Sequence, residues 1–330
     1  MSAPEDTPLL EIEHLSVTFG AAHAVRDVSL RLDPGGTVVV LGESGSGKSV
    51  TARSVLRLPG RRASVRGRIR LAGCDLFALD EKAMRQVRGR DIGFVPQDPN
   101  SSLDPLRRIG TQVEEVLQVH GAVADRRARR ARVAELLALV GIPNPARTAR
   151  SYPHELSGGM RQRVVIAMAV ACAPRLIIAD EPTTALDVTV QAQVLDLFTT
   201  LQRELGTALL LVTHDVGVAA ELAADVVVMY AGRIVERGPA AAVLTAPAHP
   251  YTAGLLGARP RPGLRRGELA AIPGGPPPAT EVVDAACAFA PRCGRAEPAC
   301  SATAPELRDV GPGRAAACLL PIAPLQEVGA

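Results

Sequence analysis

Residues 37–41, TVVVL, form a continuous apolar run that opens straight into GESGSGKS at 42–49, and a stretch of helical character follows at 48–58. This junction constrains the fold more than any other feature. A strand without polar alternation is one covered on both faces, as in sheets sandwiched between helices. The loop fits the pattern G-x-x-x-x-G-K-[ST]. Glycines at 42, 45 and 47, interleaved with Glu43, Ser44 and Ser46, let successive backbone N–H groups turn inward. A concave row of such donors cradles phosphate oxygens, and the helix beginning near Lys48 aims its positive end at them. Lys48 is expected to neutralise the β and γ phosphates, and the Ser49 hydroxyl to ligate Mg²⁺. The bland alternative, a chance glycine-rich turn, does not account for the strand before it and the helix after it.

The rest of the chain repeats this grammar. LLEIEHLSV at 9–17 and VRDVSLRL at 25–32 roughly alternate and read as half-exposed antiparallel strands. RLIIA at 175–179, ALLLVT at 208–213 and VVVMY at 226–230 read as buried strands, the last pairing with 233–236 around Gly232. Helices are expected at 188–205 and 216–224 between them. Alternating strands and helices imply a mostly parallel sheet. The character changes at 99–150, where 110–120 and 126–140 have helical periodicity; this reads as a helical insertion. Beyond about residue 258, Pro and Gly become dense at 260–263 and 273–278, and four of the six cysteines lie further on. That marks a boundary to a tail.

A phosphate loop alone does not make a hydrolase; a metal-binding carboxylate and a group that activates water are also needed. LIIADE at 176–181 is an apolar strand ending in two acids. Asp180 at the strand end suits the Mg²⁺ shell. Glu181, pointing elsewhere, suits the attacking water. An acidic turn at a helix start is the competing reading, weakened by the phosphate loop upstream.

Bulk properties exclude several classes. A net charge of +3 weakens the case for general nucleic-acid binding. RRARRAR at 126–132 reads as a solvated helix face, because no aromatic platform accompanies it. Glu5 and Asp6 stand where a secretory signal has a basic start and apolar run, so none is expected. No apolar stretch reaches the roughly 18–20 residues of a membrane span; 164–173 suits a buried helix. Cys74 and Cys172 sit in apolar contexts and are expected in the core.

LSGGMRQR at 156–163, before the apolar helix and about 20 residues ahead of the Asp-Glu strand end, resembles the signature of ATP-binding-cassette (ABC) ATPases. Further elements appear in order. Gln97 in FVPQDP resembles the family's Q-loop, Ala185-Leu186-Asp187 its D-loop, His214 in LVTHD its switch histidine, and Phe19 its adenine-stacking aromatic. The resemblance covers roughly residues 9–257. It implies a P-loop NTPase cassette of the α/β class: a RecA-like parallel sheet core, an antiparallel β subdomain and an α-helical subdomain at about 99–160. It also implies ATP with Mg²⁺, bound between two cassettes packed head to tail. Each ATP lies on one subunit's 42–49 and is closed over by Ser157, Gly158 and Gly159 of the other. Glu181 is then the general base, His214 contacts the γ-phosphate, Gln97 senses Mg²⁺ and water, and Asp187 communicates across the dimer. Phe19 replaces the commoner Tyr, and Thr184 the frequent Ser before Ala-Leu-Asp; stacking reads a π-face, so preference for ATP rests on the resemblance.

DPNSSLDP at 98–105, His249-Pro250-Tyr251-Thr252 with Leu255-Leu256, IPGGPPP from Ile272 and CAFAPRC at 287–293 are similar to the oligopeptide/dipeptide (peptide/nickel) importer ATPases. The expected division is a nucleotide-binding domain at 1–258 and an extension at 259–330. Such subunits pair with a second cassette ATPase, two transmembrane permeases and an extracytoplasmic substrate-binding protein, with no nucleic acid. That implies a peripheral protein on the cytoplasmic face of the membrane. Nickel or another solute on the same scaffold stays open, as does a soluble cassette acting on ribosomes or DNA, although those usually carry tandem cassettes or a long coiled-coil insertion. Cys287, Cys293, Cys300 and Cys318 lack the C-x₂₋₄-C knuckle of zinc sites, and a reducing cytoplasm disfavours disulfides. Some members of the resembled subfamily carry a [4Fe-4S] cluster in this segment. The expectation is a cluster ahead of zinc, with reduced structural thiols as the alternative.

Overall fold

A computed structural model of the chain describes residues 7–184, 186–258, 272–282 and 284–322. Glu5, Asp6, Ala185 and the Pro/Gly-dense stretch at 260–263 lie outside the described residues. The strands are β1 (Leu10–Phe19), β2 (Ala22–Leu32), β3 (Thr37–Leu41), β4 (Ala63–Leu71), β5 (Cys74–Asp75), β6 (Ile92–Val95), β7 (Leu176–Asp180), β8 (Ala208–Thr213), β9 (Asp225–Tyr230), β10 (Arg233–Pro239), β11 (Arg308–Gly311) and β12 (Arg314–Ala316). No helix among the described residues is long and apolar enough to cross a membrane.

The chain divides into two compact units. Among the described residues, the first comprises 7–10, 32–36 and those from 70 to 212. Its strands run in the order β8-β7-β6 and are parallel, with Ile178 opposite both Phe94 and Leu210. Every residue of β7 and β8 is buried, as unbroken apolar runs require. The expected helix at 188–205 is present as Val188–Leu205, capped by Asp187 and closed by Gly206 at φ 64°. The helical insertion contains Ile109–Val119 and Arg126–Leu139. Ile109, Val113 and Leu117 recur every four residues and pack towards Val133, Leu136 and Leu137. The arginine run forms the first turns of the second of these helices. Arg129 donates to the carbonyl oxygens of Val123 and Ala124, and Arg132 pairs with Glu135 three residues on. The apolar stretch at 164–173 is not wholly helical. The helix runs Gly158–Ala169, and Ala173 takes φ 50°; Pro174, next in the chain, keeps the residue before it out of the right-handed helical region, so the helix cannot run through 173.

Among the described residues, the second unit comprises 11–31, 37–69 and those from 213 to 322. β1, β2 and β4 lie side by side in the order β2-β1-β4. The alternation along β1 slips by one residue between Ile12 and Leu15, because His14 adopts φ 51° and forms a bulge. Beside it, a side chain at Gly67 would collide with the carbonyl oxygens of Glu13 and His14. The other strands run β11-β12-β10-β9-β3. β3 and β9 are parallel, with Val39 opposite Val226, and β9 and β10 form the expected hairpin around Gly232.

Several elements were not expected from sequence. β6 and β12 are too short, at four and three residues, to reveal a period. The tail supplies β11 and β12, and β12 pairs antiparallel with β10, setting Ala316 against Glu236. Cys74 is not a core residue: it is exposed on β5, the two-residue strand at the sheet edge that pairs with the end of β4. Cys172 is half-buried, and burial raises its thiol pKa.

Glu236 is fully buried on β10 and accepts N–H groups from Ala248 at 2.7 Å and His249 at 2.9 Å, with Arg314 of β12 at 3.3 Å. Removing one partner of a buried pair leaves the other charge uncompensated. Arg314→Ala will therefore lower the unfolding free energy by about 3 kcal/mol, read from urea denaturation. A change below about 0.5 kcal/mol would show that the two amides alone satisfy Glu236.

Candidate functional site

In the second unit the fully buried strand β3 delivers the chain into the 42–49 loop, and the helix Lys48–Val55 leaves it. Gly42 has φ 153° and Gly47 φ 98°; a Cβ on the first would overlap the Met229 carbonyl oxygen, and on the second that of Ala24. Only glycine satisfies both the backbone angle and the space. Lys48 is 4% exposed, and its Nζ donates to the Gly42 and Glu43 carbonyl oxygens at 2.7 and 2.9 Å. The ammonium group is therefore folded over the loop's own concavity. Ser46 Oγ is buried with no hydrogen-bond partner among the described residues. An orphaned hydroxyl, a buried cation and a glycine-lined turn at a helix N-terminus together fit an anionic, oxygen-rich ligand. Ser44 and Gly45 are exposed at the loop's tip, and Ser49 is half-buried in the first helical turn. Phe19 ends β1 half-buried, close enough to Gly60 that a Cβ there would lie 3.2 Å from its ring. His214 follows β8 and is exposed, while Asp215 caps the helix Val216–Leu222 through the Gly217 N–H at 2.6 Å.

The first unit brings together a second group. Asp180 ends β7 at 0% exposure, and Glu181 follows at 8%. Glu181 has φ 50°, a left-handed conformation that costs energy for a side chain with a Cβ. The Glu181 N–H donates to the Val212 carbonyl at 2.8 Å, fixing the turn. Its carboxylate accepts from Gln97 Nε2 at 3.2 Å and from Thr184 Oγ1 at 3.0 Å. Gln97 and Glu181, far apart in sequence, thus meet. Ser157 caps the helix Gly158–Ala169 by accepting the Met160 N–H, and both Ser157 and Gly158 are exposed. Asp187 caps the next helix through the Val190 N–H at 2.9 Å. Asp98 folds the segment after Gln97 into a turn, and the hydrogen bond from the Asn100 backbone holds its carboxyl below the usual range.

Three contacts to the loop escaped the sequence reading. The Glu43 N–H donates to Tyr251 Oη at 2.8 Å. Arg292 forks onto the Glu43 carboxylate at 2.7 and 3.0 Å, and the same guanidinium reaches Tyr230 Oη at 3.3 Å. Tyr251 belongs to HPYT and Arg292 to CAFAPRC, so both stand in stretches with a visible signature. Neither stretch reveals which distant residue it touches. Burial raises the Tyr251 phenol pKa, which keeps it protonated.

Cys287, Cys293, Cys300 and Cys318 line one cavity of about 20 Å³ with Phe289 and His249. Burial raises the thiol pKa of Cys287 and Cys318. No group of three or more His, Cys, Asp or Glu among the described residues is arranged to hold a metal ion. The cluster expectation therefore finds its donors gathered but not set at ligand geometry.

The ABC transporter family matches residues 25–184, and the C-terminal region of oligopeptide/dipeptide transporters matches residues 235–300. A putative peptide import ATP-binding protein of Brucella ovis is 51% identical over 94% of this chain and 97% of its own. An oligopeptide transport ATP-binding protein, OppD of Bacillus subtilis, is 49% identical over 83% of this chain and 78% of its own. Among solved structures, the dimeric ATP-binding cassette MJ0796 bound to ADP and phosphate is similar with a TM-score of 0.63 and 29% identity, covering 70% of this chain and 98% of that one. Loop, strand ends and helical insertion are those of an ABC ATPase. Within that class the chain belongs to the oligopeptide/dipeptide transporter ATP-binding family.

Buried His249 caps the helix Pro250–Gly257, its Nδ1 accepting the Tyr251 N–H at 3.0 Å. Burial pushes its pKa from the ordinary 6.5 down to about 4. The unfolded chain therefore binds the extra proton first, and this contribution to stability, complete above pH 6.5, is lost as pH falls towards 4. His249→Asn keeps a capping side chain without the titration. Its Tm will fall less steeply than the wild type's between these pH values, as calorimetry can measure; equal slopes would contradict the assignment.

Proposed function

We propose that this chain is the ATP-binding and ATP-hydrolysing subunit that energises import of oligopeptides or dipeptides through a membrane ABC transporter. The observation that carries nucleotide binding is the 42–49 loop, where Lys48 is buried over a turn that excludes any side chain at Gly42 and Gly47; peptide import is supported by the relatives named for it and by the matching C-terminal region. In this proposal backbone N–H groups of 42–49 bind the phosphates, Lys48 neutralises β- and γ-phosphate charge, and Phe19 stacks on adenine. Ser49, Asp180 and Gln97 would hold Mg²⁺, which when bound offsets charge on the transferring group. Glu181 is the general base; its hydrogen bond to Gln97 orients the carboxylate. His214 contacts the γ-phosphate. Ser157, Gly158 and Gly159 of one subunit complete the site of the next, and Asp187 links the two. Catalysis on this plan is positioning and charge stabilisation.

As partners we propose two permeases, an extracytoplasmic binding protein and a second cassette subunit, as the family resemblance implies; the relatives' names support a role in peptide import or transport. Peripheral attachment at the cytoplasmic face is proposed from the family resemblance. We divide the chain into a nucleotide-binding domain at 1–258, with its helical subdomain at about 99–160, and an extension at 259–330. For that extension a [4Fe-4S] cluster on Cys287, Cys293, Cys300 and Cys318 is proposed from the resemblance; the four thiols line one small cavity but are not set at ligand geometry. Anaerobically purified protein is expected to be brown and to contain about four iron atoms per chain. Colourless, iron-free protein assigns reduced thiols instead.

Glu181→Gln will retain ATP, lose at least about 100-fold in turnover and accumulate as an ATP-bound dimer on size exclusion. Undiminished hydrolysis would remove Glu181 from the role of base.

A further inference from the structure

Among the described residues, the C-terminal extension reaches the phosphate loop through the side chain of Arg292. Arg292 lies in the short turn Ala290–Arg292, between Cys287 and Cys293. Its side chain is 7% exposed, against 25% for its partner Glu43. Nε donates to the Pro273 carbonyl at 2.8 Å and Nη2 to that of Gly274 at 3.2 Å. The remaining donors grip both carboxylate oxygens of Glu43. The guanidinium is thus fixed by the extension's backbone on one side and spends its bidentate face on the loop, the strongest geometry for a charged pair. An aromatic cluster backs it. The Tyr230 ring lies 5.3 Å from Phe289 and 4.6 Å from Tyr251, and Arg292 sits 5.7 Å from the Tyr230 centroid. Tyr251 in turn accepts the Glu43 backbone N–H. Side chain and backbone of one loop residue are therefore both held from residues beyond 229. The Glu43 carbonyl, on the same peptide segment, receives Lys48 Nζ and the Ser46 N–H.

We propose that Arg292 is a positioning residue of the nucleotide site: by clamping Glu43 it sets the curvature of the phosphate loop, so the extension controls affinity for the nucleotide. The inference rests on reading 42–49 as the phosphate cradle. Arg292 has no free donor face to offer a phosphate; it acts through Glu43. A loop whose N–H groups must converge within a fraction of an ångström loses affinity when one corner relaxes. Lysine cannot replace the fork, since it offers a point charge without the planar pair of donors.

The test uses the full chain and the non-hydrolysable analogue AMP-PNP with Mg²⁺, titrated calorimetrically. Lys48→Ala serves as the control for the loop itself. Arg292→Ala and Glu43→Gln are each expected to weaken binding about tenfold, and the double variant no more than either alone, as for two ends of one contact. Arg292→Lys should recover only part of the loss. Glu43→Gln preserves shape and leaves the extension intact, so it decides the matter if Arg292→Ala fails to fold. Affinity within twofold of wild type in either single variant, with binding lost in Lys48→Ala, overturns the proposal and leaves the loop assignment standing. Additive losses in the double variant also overturn it. Wild-type affinity in Lys48→Ala overturns the loop assignment and this inference with it.

Discussion

Two backbone approaches, at Gly42 and Gly47, set the terms for much of the second unit. At each point the chain passes so close to a neighbouring carbonyl, of Met229 and Ala24 respectively, that no side chain fits. The loop is thereby wedged against the end of β9 and against β2, and its N–H groups are free to face inward. Strand β3 must be buried and straight to deliver the chain there, which is why its five residues are all apolar except Thr37 at its start. The hairpin of β9 and β10 must turn tightly at Gly232, whose N–H donates to the Ser46 carbonyl. A local demand for converging amides thus propagates into strand order and turn chemistry.

Much of this was legible because it depends on local patterns. Buried parallel strands show as unbroken apolar runs, so β3, β7 and β8 were visible within a residue of their ends. The helix Val188–Leu205 was bounded by a capping aspartate and a glycine, both readable without the fold. What escaped was short or long-range. β6, β11 and β12 owe their conformation to neighbours, not to their own period. The slip at His14 and the early end of the helix at Ala169 depend on single backbone angles. Cys74 looked like a core residue because its sequence neighbours are apolar, yet a two-residue edge strand gives it nothing to be buried against.

The candidate site divides in the same way. Residue types and spacing announced the phosphate loop, the paired acids and the capped glycine helix. The strain at Glu181 did not show, because a left-handed glutamate has no sequence mark. Its conformation follows from the carbonyl of Val212 holding its amide while Gln97 and Thr184 hold its carboxylate. The contacts from Tyr251 and Arg292 were invisible for a different reason: they pair loop residue Glu43 with positions 208 and 249 residues away.

Aromatic residues make up only 2% of the chain, with no tryptophan and three tyrosines. Two of those three, Tyr230 and Tyr251, stand in the cluster against Glu43 and Arg292. Near-ultraviolet tyrosine absorption of this protein therefore comes mainly from phenol rings beside the phosphate loop, one of them 5.7 Å from a guanidinium. Scarcity of aromatics has left the molecule with a built-in optical reporter, sensitive to whatever displaces that arginine or fills the loop, and requiring no added label.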